Sequence, residues 1–167
     1  MKVTVVILQP AARGTRESRL RSKVESITRG AILCATSHSW EAEVLARHAA
    51  AEGFEKIVAA GGDGTVNEIV NGIAGRNVAL GLLPVGTMNV FATELGLPAN
   101  DLPRCWEIIQ ENRTRPVDLP SANGKHFVQL AGVGPDAPGV KETSRDFKRT
   151  FGPPRYLIPA APNAPPP

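Results

Sequence analysis

Four short apolar runs, Val3 to Leu8, Ala31 to Ala35, Ile57 to Ala60 and Ala79 to Leu83, recur along the chain with segments of helical period between them. Runs of this length without apolar–polar alternation belong to strands buried on both faces, and a parallel sheet covered by helices on either side provides that environment. The first intervening helix spans Thr15 to Thr28. Ser39 is placed to cap the second, which carries Glu41 and Glu43 in its first turn and ends at Gly53. The resulting βαβαβαβ order predicts a three-layer α/β sandwich with a mainly parallel sheet. A further helix fits Pro103 to Glu111, with Asp101 near its start and Cys105, Ile108 and Ile109 facing inward. Beyond it the character changes. Arg115 to Leu119 and His126 to Ala131 read as strands joined by a Ser-Ala-Asn-Gly turn, a β-rich pattern and not another βα unit. From Pro153 onward seven of fifteen residues are proline, a composition that predicts an extended tail. The expected division is an α/β domain over 1–114, the partial start of a β-rich second domain over 115–152, and a proline-rich tail over 153–167.

Residues Gly61 to Asn67 read Gly-Gly-Asp-Gly-Thr-Val-Asn, between the third strand and a helix expected to begin at Val66. Three glycines in four positions free the backbone of Cβ atoms. Its N–H groups can then approach a phosphate while the new helix points its partly positive N-terminus the same way. Nucleotide phosphate binding is the chemistry indicated, with Asp63 at its centre; a glycine-rich βα turn that only packs is the alternative. Thr65 and Glu68 have capping-box spacing, Ile69, Val70 and Ile73 form an apolar stripe, and Gly75 ends the helix. A second tight turn, Pro84-Val85-Gly86-Thr87, leads to Asn89 and a short helix over Val90 to Leu95. Ligands of open α/β sheets sit outside the carboxyl ends of the strands, so both turns can reach one nucleotide.

The 167 residues suffice for one domain with a substantial core. No run of some eighteen apolar residues occurs, and Met1 to Leu8 is too short for a signal peptide, which implies a cytoplasmic address. Cys34 and Cys105 lie among apolar neighbours without metal-ligand spacing and read as buried thiols. The net charge of +3 is modest, but Arg13, Arg16, Arg19, Arg21, Lys23 and Arg29 fall within a segment whose acids are Glu17 and Glu25. That segment admits phosphates or the anionic surface of a membrane, or is simply a solvated helix face. His38, His48 and His126 have no partner at catalytic spacing.

The motifs Val58 to Glu68, Asn71-Gly72-Ile73, Leu83 to Ala92, Val117-Asp118-Leu119 and Ala131-Gly132-Val133-Gly134-Pro135-Asp136-Ala137 resemble, in order and distance, the catalytic domain of the diacylglycerol kinase family of lipid kinases. The glycine turn is shared more distantly with phosphofructokinases and NAD kinases, so an NAD kinase-like activity is an alternative; the Pro-x-Gly-Thr-x-Asn block favours the lipid kinases. The resemblance implies transfer of the γ-phosphoryl group of ATP, with Mg²⁺, to a lipid hydroxyl such as that of diacylglycerol. It implies nucleotide contacts at Gly61, Gly62, Asp63, Gly64, Thr65, Val66 and Asn67, at Thr87, and at Thr36 after the second strand. The family's Asn-Pro-x-Ser-Gly loop is matched in part by Gln9 and Pro10, which keep an amide but lack the Ser hydroxyl.

Asp63 takes the catalytic position, as proton acceptor from the lipid hydroxyl or as a helper for Mg²⁺; acceptance of backbone hydrogen bonds within the turn is the structural alternative. Asn89 is either a turn-stabilising amide or a ligand contact. No residue is assigned as a protein metal ligand, and no nucleic-acid partner is implied. Family members continue past Ala137 into a β-sandwich domain with a further acidic catalytic residue and a metal site, and Pro135 stands where an aromatic is usual. This chain therefore resembles a shortened lipid kinase, with a non-catalytic nucleotide-binding remnant as the second reading. Unpaired strands beyond Asp118 would favour a homo-oligomer.

Overall fold

The computed structural model describes residues 4–10 and 14–129. Four strands, β1 (Val5–Leu8), β2 (Ile32–Ala35), β3 (Lys56–Gly61) and β4 (Ala79–Pro84), form one parallel sheet in the order β2-β1-β3-β4. Helices α1 (Thr15–Ile27), α2 (Glu41–Ala51) and α3 (Asp63–Ile73) make the crossovers, followed by α4 (Val90–Glu94) and α5 (Leu102–Gln110). Alternate strand residues feed two cores. Val5, Ile7, Ile57 and Ala59 pack with α2, α3 and Ala92 of α4, whereas Val6, Leu8, Val58, Ala60 and Leu83 pack with Val24 of α1 and Cys105 of α5. The result is the expected three-layer α/β sandwich. Helices α2 and α3 approach closely at Gly72, where an added Cβ would collide with the Glu43 carbonyl of α2. Burial raises the pKa of the Cys105 thiol, as suits an inert core residue. No helix among the described residues is long and apolar enough to cross a membrane.

Three local expectations are corrected. Helix α3 begins at Asp63 and not at Val66, so Thr65 lies inside its first turn and the Thr65–Glu68 capping box gives way to an N-cap at Gly62 without a side-chain cap. The N-cap of α2 is Trp40 and not Ser39. The Glu41 carboxylate reaches back to accept from the Ser37 N–H (2.6 Å), the Ser37 hydroxyl (2.9 Å) and the His38 N–H (3.3 Å). Finally, Arg115 to Leu119 forms no strand. The hairpin instead pairs β5 (Ser121–Ala122) with β6 (Lys125–His126) across a left-handed Asn123-Gly124 turn. Of the second expected strand, His126 to Ala131, only His126 lies in a strand; Phe127, Val128 and Gln129 do not, and residues 130 and 131, with the tail, lie outside the described residues.

The hairpin is fastened to the α/β core. The Asn71 side chain donates to the His126 carbonyl and accepts from the His126 N–H, both at 2.9 Å, as a neighbouring strand would. Lys125 pairs with Glu43 at 3.2 Å, and Leu119 and Val128 pack against the α2–α3 core.

Candidate functional site

Strand β1 pairs with β2 on one side and β3 on the other, so the chain changes direction between β1 and β3. In an open parallel sheet that switch point opens a crevice at the carboxyl ends of the strands. Gln9 leaves β1 there and Gly61-Gly62 leave β3. The Gln9 N–H extends the ladder to the Ala60 carbonyl at 3.0 Å, and its side-chain Oε1 accepts from the Thr65 hydroxyl at 2.5 Å. The amide of the first loop is thereby tied to the glycine turn.

The glycines serve different contacts. A Cβ on Gly61 would fall within the buried Thr65 side chain, and one on Gly86 would fall on the Gly62 backbone. Gly61 and Gly86 are therefore required by packing of the two turns against themselves and each other, and a Cβ on Gly62 would sit tightly, 3.3 Å from the Gly86 Cα. Gly64 differs, because a Cβ there would meet open space. None of Gly61, Gly62 and Gly64 has a positive φ, so their demand is steric and not torsional.

Asp63, the first residue of α3, accepts the Val90 N–H with one carboxylate oxygen and the Phe91 N–H with the other, both at 3.1 Å. It thus caps α4 from a different element, since the N-cap residue Asn89 (φ 50) makes no such bond. Asn89, 9% exposed, instead closes the second turn: its Oδ1 accepts from Gly86 N–H (3.0 Å) and its Nδ2 donates to the Gly86 carbonyl (2.9 Å). These bonds give Asn89 a turn-stabilising role. Both turns consequently form one body.

The first backbone bond of α3 runs from Val66 N–H to the Gly62 carbonyl, so the N–H groups of Asp63, Gly64 and Thr65 precede the helical ladder. Val66 itself is buried in the core. Asn67 is half-buried, and its carbonyl accepts from Asn71. Thr87 is exposed on the second turn, whereas Thr36 is buried, its N–H bonded to the Leu8 carbonyl at 2.8 Å. Pro10 is half-buried beside Gln9. A cavity of about 10 Å³, room for one water, is lined by Gly61, Gly62, Asp63 and Asn89. In α1, Arg21 pairs with Glu25 at 2.9 Å, while Arg16, Arg19 and Lys23 are exposed; Arg13 lies outside the described residues. The described residues include no group of three or more His, Cys, Asp and Glu able to hold a metal.

Sequence reasoning did not find the clasp of Asp63 on Val90 and Phe91, the Gln9–Thr65 bond or the hairpin tie at Asn71. Their partners lie 27 and 28, 56, and 55 residues away, and the available signal was the co-occurrence of the motifs.

Residues 3–122 match the diacylglycerol kinase catalytic domain model. The chain is 42% identical over 102 residues to a diacylglycerol kinase of Bacillus subtilis, covering 60% of this chain and 34% of the relative. A diacylglycerol kinase of Staphylococcus carnosus is 36% identical over 126 residues, covering 74% of this chain and 41% of the relative. The crystal structure of a diacylglycerol kinase from Bacillus anthracis superposes with a TM-score of 0.64 at 27% identity, covering 75% of this chain and 49% of that one. The chain thus spans less than half the length of these relatives.

Proposed function

The chain belongs to the diacylglycerol kinase catalytic domain family, and on that premise we propose that it binds ATP in the β1–β3 crevice and transfers the γ-phosphoryl group to a lipid hydroxyl such as that of diacylglycerol. The observation that carries the reading is the joined pair of turns, with Gly64 facing open space and the Asp63, Gly64 and Thr65 N–H groups ahead of the helical ladder. Phosphoryl transfer spreads negative charge over the equatorial oxygens, and fixed N–H dipoles at a helix start stabilise it without reorganising. In this reading the Gln9 amide and Thr87 flank the phosphates, and Asp63 faces the acceptor hydroxyl.

Mg²⁺ would enter with the nucleotide and neutralise phosphate charge. The donor set fits this, since Mg²⁺ is commonly held by one or two carboxylates together with substrate phosphates, and Asp63 supplies one. Each Asp63 oxygen accepts one N–H and keeps a lone pair for the cation or the hydroxyl proton. Asp63 is the proposed catalytic residue on that basis. The lipid acceptor places the enzyme at a membrane surface, with the exposed Arg16, Arg19 and Lys23 of α1 as its peripheral contact.

A second reading, nucleotide binding without transfer, is favoured by the engagement of both Asp63 oxygens with α4. The two are separated by assaying phosphate transfer from Mg·ATP to diacylglycerol in mixed micelles: turnover supports the kinase, and binding without turnover supports the second reading.

A further inference from the structure

Strand β4 ends the sheet, and among the described residues nothing pairs with its outer edge. The Ala79 N–H bonds the Glu55 carbonyl and the Val85 N–H bonds the Gly61 carbonyl, so the odd-numbered residues of β4 turn their peptide groups to β3. Leu80 and Leu82, alternating with them, turn theirs outward. Such an edge is a template for another strand unless charge, proline or a bulge blunts it. β4 carries no charged residue, and its one proline, Pro84, comes last.

The edge opens into the groove of about 780 Å³, walled by Ile109 from one core and by Phe91, Leu119 and Val128 from the other. One residue of a strand packed between two layers fills about 160 Å³, so the groove takes on the order of five residues, close to the length of β4. Because the walls flank the edge, a single extended segment reaches it more readily than the edge of a second folded copy. The lining holds Lys56, Arg76, Arg113 and Arg115 and no carboxylate among the described residues. Lys56 donates to the Ile109 carbonyl at 3.0 Å and Arg113 pairs with Glu111, which leaves the exposed Arg76 and Arg115 without an ion-pair partner among the described residues. An anionic lipid would satisfy the walls and the arginines, but its chain would leave the outward peptide groups of Leu80 and Leu82 unpaired and out of water. A peptide strand pairs them.

We propose that the β4 edge docks an extended segment of another polypeptide, apolar over about five residues and flanked by acidic side chains, which adds to the sheet beyond β4. The proposal stands independently of the nucleotide reading.

The test titrates the 167-residue chain with a fluorescein-labelled peptide, Asp-Val-Thr-Val-Ile-Val-Asp, followed by anisotropy. Two further peptides are N-methylated at alternate residues, one on each edge of the strand. The peptide should bind saturably, and amide exchange at Leu80 and Leu82 should slow. One methylated peptide, the one that turns its methyl groups to β4, should bind at least tenfold more weakly, and the other should bind as the parent does. Leu80→Pro removes an outward N–H at an edge that tolerates proline, and should weaken binding about tenfold with an unchanged circular dichroism spectrum. Replacing Arg76 and Arg115 together by Gln should weaken it about fivefold and reduce its salt dependence. No saturable binding by wild type, or equal binding of both methylated peptides, overturns the proposal. Saturable binding of oleate without binding of the peptide would make the groove a lipid site, and a dimer in sedimentation that Leu80→Pro abolishes, again without peptide binding, would give the edge to a second copy; either overturns it.

Discussion

Gly64 and Gly86 lie in neighbouring turns and predict opposite responses to the same substitution. Gly64→Ala adds a methyl group to open space in the first turn of α3, where alanine is the better helix former. It should hold or raise stability, by up to about 1 kcal/mol, while weakening any phosphate that needs the space. Gly86→Ala drives a Cβ onto the Gly62 backbone and should lower stability by about 1–3 kcal/mol. Paired thermal melts and ATP titrations distinguish the two effects. Asp63→Asn removes the charge and leaves one acceptor oxygen for two N–H groups, so the clasp on α4 weakens by about 1 kcal/mol. Turnover should fall about a hundredfold or more if the carboxylate also serves the acceptor. Unchanged turnover in a micelle assay would confine Asp63 to its bond with α4.

Strands β1 to β4 and most helix ends are legible in the sequence because local chemistry sets them: apolar runs, buried through β1 and most of β3 and partly buried in the edge strand β2, Asp101 accepting from Arg104 N–H at the start of α5, and Gly53 and Gly75 in left-handed closing turns. The start of α3 is not legible, because Thr65 can cap a helix or, as found, bond a glutamine 56 residues earlier. Arg115 to Leu119 has strand composition, but a strand needs a ladder partner, and the short hairpin finds its anchor in a side chain of α3.

Two predictions belong to elements. Asn71→Ala removes both bonds to His126 and should destabilise by about 1–3 kcal/mol, with amide exchange rising first in the hairpin. At the start of α2, Ser37 and His38 hold the Glu41 carboxyl below the usual range. A depressed folded pKa stabilises above the unfolded value, about 4.3, and the gain is lost as pH falls through the folded value. Glu41→Gln should therefore flatten the acid side of a melting curve taken between about pH 3 and 6.

At the scale of the molecule, the segment after α5 is part of the packed unit. Leu119 and Val128 cover apolar surface of the α2–α3 core, and β4 leaves its outer edge beside a groove of about 780 Å³ lined by Leu80, Leu97, Val117 and Leu119. Shortening the chain to Arg115 uncovers that surface, so the shortened chain should melt lower and associate more by light scattering; a stable monomer would show that the core closes without the hairpin. The central claim is that two distant turns, joined through Gly62–Gly86 and Asp63–α4, make one phosphate cradle open at Gly64. Calorimetric titration of Mg·ATP into wild type and Gly64→Val tests it most directly. The account predicts saturable one-to-one binding that is abolished in a variant still folded by circular dichroism; equal binding by both proteins would contradict it.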